Sequence, residues 1–352
     1  MPSIEILGSG RIDDRESAFP QAVQLPDGDI LCSFSVGGGA HATGGSDWAR
    51  SRDGGETWAL EGTLVPQSAE ETNALKLSLA ADGKTIYAYG SQAYRKAGKV
   101  FGDTRNEPIF CRSTDGGHTW SDPRIIPMLG HQRLEISHGI LPLRSGRLLA
   151  PGATLDSRDT LGKQVLAAIS DDGGESWNQH TVIFEDPQGK LGYLEQKLAR
   201  LDSNRLIATC WTVTLGDVVD QEDSFVLSDD RGLTWSEPRT TGISGQTMTP
   251  IPLGGDRLMV LYNRRYGQQG IVANLVTFTP EQWTIHHESL LYDPGVSQER
   301  PHNLETGVDE FAGFQFGFPT AIRLLDGSFL ATHWSQESGR FGIRWTRLRV
   351  DW

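Results

Sequence analysis

The chain of 352 residues contains no apolar run near the roughly 18 residues that a membrane-spanning helix needs. Its three cysteines, Cys32, Cys111 and Cys210, are odd in number and have no paired spacing, which argues against a disulfide scaffold or a cysteine zinc site. They read as reduced thiols in strands. The opening MPSIEILGSGRIDD lacks the basic and apolar regions of a secretory signal, so a cytoplasmic location is expected. Positive charge is also scarce: 32 Lys and Arg face 45 Asp and Glu, a formal net charge of −13. That balance disfavours a nucleic-acid partner and is mostly a solubility statement. No metal-ligand spacing, nucleotide-binding glycine motif or Ser-His-Asp arrangement occurs, so neither a metal nor a cofactor is expected.

Repetition is abundant. The octapeptides SRDGGETW (51–58), STDGGHTW (113–120), SDDGGESW (170–177) and SDDRGLTW (228–235) share Ser-x-Asp-x-Gly-x-(Thr/Ser)-Trp. The Asp can bond nearby backbone amides, the Gly can adopt positive φ, and the Trp can anchor a turn on a core. A second repeat, two apolar stretches joined by a turn dipeptide, recurs in phase: FPQAVQLPDGDILCSF (19–34), LKLSLAADGKTIYAYG (75–90), HGILPLRSGRLLAPG (138–152), LEQKLARLDSNRLIATCW (194–211), MTPIPLGGDRLMVLY (248–262) and FPTAIRLLDGSFLATHW (318–334). Its turns, at Asp27, Asp82, Ser145, Ser203, Gly255 and Asp326, lie 55, 63, 58, 52 and 71 residues apart. Hairpins recurring at this period are propeller blades. The fold expected is therefore all-β: one six-bladed β-propeller of four-stranded antiparallel blades that takes up residues 1–352. Blades one to four carry an octapeptide between their outer strands, blade five only the remnant TFTPEQWT (277–284). Blade six runs out at Trp352, so IEILGSGRI (4–12) is expected to supply its fourth strand and close the ring. Gly, about 12 per cent against a usual ~7 per cent, suits so many tight turns.

The octapeptide resembles the Asp-box (BNR) repeat of the sialidase-like β-propellers, and the resemblance covers nearly the whole chain. It implies a site at one mouth of the central channel, where inner strands enter and second strands leave. In sialidases that mouth carries an Arg-Ile-Pro arginine in blade one, an acid/base Asp in the following loop, a Glu in blade four and a nucleophilic Tyr in blade six. Here Ala18 stands where the arginine would be, His41 is the best-placed titratable group of the loop, and Phe318 stands where the tyrosine would be; only Glu195 matches. A phenylalanine has no hydroxyl to attack an anomeric carbon, so a Tyr-nucleophile retaining sialidase is excluded.

Glu195, His41 and His138 are the candidate catalytic residues. Lys197, two residues beyond Glu195 on one strand face, is the partner for Glu195 in a purely structural pairing. His41 lies among glycines in GGGAHATGG, where it is either a proton carrier or a solvated loop residue; His138, three residues after Glu135, is either a carboxylate-oriented imidazole or a packed histidine. Candidate substrate-binding residues are Arg15, Glu135, Trp211, Arg264, Arg265, His302 and Trp334. At most one of the two adjacent arginines should point inward. Two classes of function remain: a carbohydrate-active enzyme, as an exo-acting glycoside hydrolase or a uronate-type lyase, and a propeller that binds a glycan or protein without chemistry. The enzyme is preferred because Glu195 is retained with His41 and His138 nearby, and the hydrolase is the first reading within it. A small glycan is the expected partner.

Overall fold

The computed structural model describes residues 1–39, 44–68, 70–94, 105–131, 133–298 and 314–352. Six antiparallel blades form the expected ring, each running from an inner to an outer strand in chain order. Blade one is Ser17–Gln24, Ile30–Val36, Gly45–Ser51 and Ala59–Val65. Blade two is Glu71–Leu79, Ile86–Tyr94, Arg105–Ser113 and Arg124–Ile125. In blade three the inner strand is split into Leu134–Glu135 and Leu141–Pro142, followed by Leu148–Thr154, Gln164–Ser170 and Gln179–Glu185. Blade four comprises Leu191–Arg200, Leu206–Thr214, Ser224–Ser228 and Arg239–Thr240. Blade five comprises Gln246–Gly254, Arg257–Arg264, Gly270–Phe278 and Trp283–Tyr292. Blade six is Phe316–Arg323, Phe329–Glu337 and Arg340–Asp351, completed by Ser3–Asp13 from the other end of the chain.

Six apolar clusters fill the six junctions. Leu149, Val165 and Ala153 of blade three meet Leu206, Cys210 and Val213 of blade four, for example. Alternate residues of a strand face opposite sides, and here both sides are covered, so a middle strand such as LMVLY is apolar throughout. The three cysteines are free and buried. Burial pushes the Cys111 thiol up to about 12, which removes any thiolate reactivity.

Each Asp box is a turn built on its own side chains. In the second, the Ser113 hydroxyl donates to Asp115 (2.8 Å) and accepts from the Gly117 amide (2.9 Å). Asp115 also accepts from the Thr119 amide (2.9 Å) and hydroxyl (2.6 Å), and Trp120 Nε1 donates to the Gly117 carbonyl (2.9 Å). Gly117 has φ +91°, and a Cβ there would lie 2.6 Å from Leu31 of blade one, so the turn needs glycine for both conformation and space. The box therefore docks each blade's edge onto its predecessor.

Candidate active site

Inside the ring a second device repeats. Phe19, Glu195, Thr247 and Phe318 adopt φ of 58°, 54°, 57° and 53°. Each sits at a register break between the inner and second strands of its blade, eight residues before the hairpin turn. The same count gives Ala74 in blade two and Ser137 in blade three. A left-handed non-glycine residue costs roughly 1–3 kcal/mol and persists where the surroundings over-determine it. In blades one, four, five and six the bulge re-aims one side chain of the inner strand.

Side chains at and near the residue two positions further on fix the bulges by donating to a neighbouring blade's carbonyl. Gln21 donates to Leu77 O (2.9 Å), Lys76 to Ile136 O (2.6 Å), Lys197 to Ser137 O, Thr249 to Pro319 O (2.6 Å) and Thr320 to Pro20 O (3.1 Å). Thr209 of the second strand serves the remaining junction through Met248 O (2.5 Å). The acceptors Ile136, Ser137, Met248, Pro319 and Pro20 lie at the split strand or the bulges, whereas Leu77 lies on the unbroken inner strand of blade two.

Two carboxylates meet on the wall formed by blades three and four. The Glu195 amide donates to one oxygen of Glu135 (2.9 Å), and the Ser137 hydroxyl donates to the other. The Glu195 carboxylate accepts from the Thr247 hydroxyl. Burial raises the Glu195 carboxyl above its ordinary range; the Thr247 bond counters this and the charge of Glu135 adds to it. Lys197 is fully buried, with its ammonium 3.3 Å from the centre of the Phe318 ring and its donation going to Ser137 O. Burial, then the charge of Lys76, holds the Lys197 amine well below the usual lysine range. Lys76 lies 5.5 Å from the same ring, and burial brings it down to about 8. Phe318 of blade six thus reaches lysines of blades two and four.

The other sequence candidates divide sharply. His138 is not oriented by Glu135: its Nδ1 donates to the Gly139 carbonyl (2.7 Å), because Glu135 is already engaged by Ser137 and the Glu195 amide. Burial, then the charge of Lys197, lowers the His138 imidazole to about 4, so it is neutral at pH 7. A carboxylate-oriented imidazole does exist nearby, His131 with Asp156 (3.0 Å), on loops of the same blade that sequence reasoning passed over. Arg265 points inward, donating to Gln246 (2.8 Å) and the Phe316 carbonyl and stacking 3.8 Å from the Phe314 ring. Arg264 points away, to Glu288 (2.8 Å). Arg15 is held by Asp13 (2.7 Å) and Asp47 (3.1 Å). Trp211 and Trp334 are 1% and 3% exposed, inside the junctions rather than on the channel, and neither offers a face to a sugar. Trp211 Nε1 bonds Asp220 instead (2.8 Å). His41 and His302 lie outside the described residues.

No protein-family model matches the chain, and no curated protein matches it. Solved structures do. A Dyadobacter fermentans protein of unknown function is 19% identical with TM-score 0.78, covering all of both chains. The Hadza microbial sialidase Hz136 is 16% identical with TM-score 0.65, covering 94% of this chain and 65% of the sialidase. The α-L-arabinanase of Penicillium chrysogenum, solved with arabinobiose, is 13% identical with TM-score 0.66, covering 97% and 98%. These likenesses establish the fold, a sialidase-like six-bladed propeller divergent in sequence.

Proposed function

We propose that this chain is an exo-acting glycoside hydrolase working at the channel mouth, with Glu195 as proton donor and Glu135 as the carboxylate opposite. The observation that carries this reading is the bond from the Glu195 amide to the Glu135 carboxylate, which sets two acids side by side on adjacent blades. Burial favours the protonated form of Glu195, the direction that a proton donor needs. Glu135 accepts one hydrogen bond on each oxygen, from the Glu195 amide and the Ser137 hydroxyl. The acid protonates the glycosidic oxygen, while the carboxylate attacks the anomeric carbon or activates water, according to their separation once a sugar is seated. Phe318 leaves no tyrosine nucleophile, so a sialidase mechanism is not part of this reading. The glycosidases among the fold's neighbours support it by analogy only.

The test is a panel of aryl glycosides, arabinofuranosides included, with wild type, Glu195→Gln and Glu135→Gln. Turnover by wild type alone is expected, and full activity in either variant would overturn the assignment. The competing reading, a glycan-binding propeller without chemistry, draws on the engagement of both Glu135 oxygens; it requires wild type to bind glycans and turn over none.

A further inference from the structure

Most of the arginines described around the channel mouth are committed to the protein. Arg265 is bound by Gln246 and the Phe316 carbonyl, Arg264 pairs with Glu288, Arg15 with Asp13 and Asp47, and Arg105 with Glu107 (3.3 Å). Arg133 differs. Its Nε is enclosed without a partner, and its terminal nitrogens, which reach the surface, meet no acceptor among the described residues. The backbone beneath it is fixed from two sides: Arg133 bridges Asn106 of blade two, and its carbonyl accepts from the Leu155 amide of its own blade (3.0 Å). The carboxylates next to these anchor points are engaged elsewhere, Asp156 with His131 (3.0 Å), Glu107 with Arg105, and Glu135 with Ser137 and the Glu195 amide. A held guanidinium with an unmet, enclosed donor is costly to the protein alone and calls for a partner from outside.

Arg133 precedes Glu135 by two residues, on the same side of an extended segment and farther from the hairpin turn at Ser145. In an exo hydrolase built on Glu195 and Glu135, the terminal sugar passes the two acids and the rest of the ligand trails back past Arg133 to the mouth. On that reading of this same site, we propose that Arg133 is an anion-binding subsite for the leaving group, and that the unit beyond the cleaved bond carries a carboxylate. A guanidinium grips a carboxylate through two parallel hydrogen bonds and is charged at every working pH. Because its terminal nitrogens reach the surface, the attraction is screened by salt.

The probes are para-carboxyphenyl and para-carbamoylphenyl glycosides of arabinofuranose and galactose, each pair differing only in the charge of the leaving group. Titration calorimetry on Glu195→Gln, which leaves the ligand uncleaved, is expected to show the carboxylate bound about tenfold more tightly than the amide, a margin that shrinks at high salt. Adding Arg133→Met should bring the margin within about twofold, whereas Arg133→Lys should keep part of it. Arg133→Met also removes the unmet donor and keeps the apolar stem, so it should melt no lower than its parent; a lower melting temperature with the margin intact would make Arg133 a structural residue. If Arg133→Met does not fold, Arg133→Gln replaces it under the same criterion. Equal binding of carboxylate and amide, binding of neither, or a margin that survives the loss of Arg133 overturns the proposal. Wild-type turnover of the same glycosides separates the two claims. A margin without turnover sinks the hydrolase and leaves the anion subsite standing, whereas turnover without a margin does the reverse.

Discussion

The Asp-box turns at the rim and the bulges around the channel each recur in four blades, and they are held by opposite means. At the rim, side chains hold the backbone: Asp115 accepts from both the amide and the hydroxyl of Thr119, so the residue types are fixed, with the leading Ser of each box buried. Around the channel the backbone holds the side chains. A strained φ near 55° is kept by neighbours, and the residue placed there is Phe, Glu, Thr or Phe. A site can vary while its frame stays the same, because the frame asks nothing of the residue it displays. The rim gains stability from its motif; the channel spends backbone strain to present a side chain.

The comparison is broken most forcefully at Glu195. Glu195→Gln preserves shape, so the protein should melt as wild type does while kcat/KM on a cleaved glycoside falls by about 10²–10⁴, the usual range for a lost acid or base. A fall in melting temperature with activity intact would place Glu195 among the structural groups.

Asp115→Ala is the mirror experiment. Losing its turn bonds should lower stability by about 1–3 kcal/mol, measured by denaturant unfolding, with the kinetics of the folded enzyme unchanged. Lost activity at an unchanged midpoint would mean the rim reaches the chemistry.

Acid unfolding sharpens the difference in sign and range. His138 and His333 have imidazoles lowered to about 4 and about 3 by burial, so each favours the folded state fully above pH 6.5 and loses that contribution as pH falls toward those values. Asp53, lowered to about 2 chiefly by its bonds to Thr57, contributes above the ordinary carboxylate range and loses its contribution between that range and about 2. Thermal melts from pH 7 to 3 should therefore decline first through the histidines and then through the boxes. His333→Gln should flatten the upper part alone.

The smallest effect is expected from Thr247→Val, which keeps the β-branched shape and removes one donor. Because the Thr247 bond favours the ionised form of Glu195, its loss should move the alkaline limb of the pH–rate profile upward by a fraction of a unit to about one unit. A shift downward would show that Thr247 serves the protonated acid instead.

What was readable in the residues follows the same division. The Asp boxes, the six hairpins and the closing strand were legible because each rests on residue identity or on alternation. The split inner strand of blade three was not, since LEISHGILPL keeps its apolar character across a break that the backbone makes. Trp211 and Trp334 were read as channel aromatics because a period of two cannot say which face of an inner hairpin meets the axis. Glu195 was found from its family position, but its contact with Glu135 crosses from one blade to the next, and no local pattern carries that. The bulge itself left only a faint trace, a constant distance to the turn shared by Phe19, Glu195, Thr247 and Phe318. That spacing could have been used.

The joint between Ser3–Asp13 and Arg340–Asp351 has a topological consequence. With Ser3 opposite Asp351, the two ends of the chain lie side by side on one edge, so the ring is continuous in space although the polymer is not. Among the described residues this pairing encloses more sequence than any other, and loop entropy weighs on it accordingly. A short linker across it would turn the most distant pair of strands into a hairpin, and the chain could then be opened at another blade without breaking the circle. The circle is therefore closed at blade six by strand pairing and not by the covalent chain.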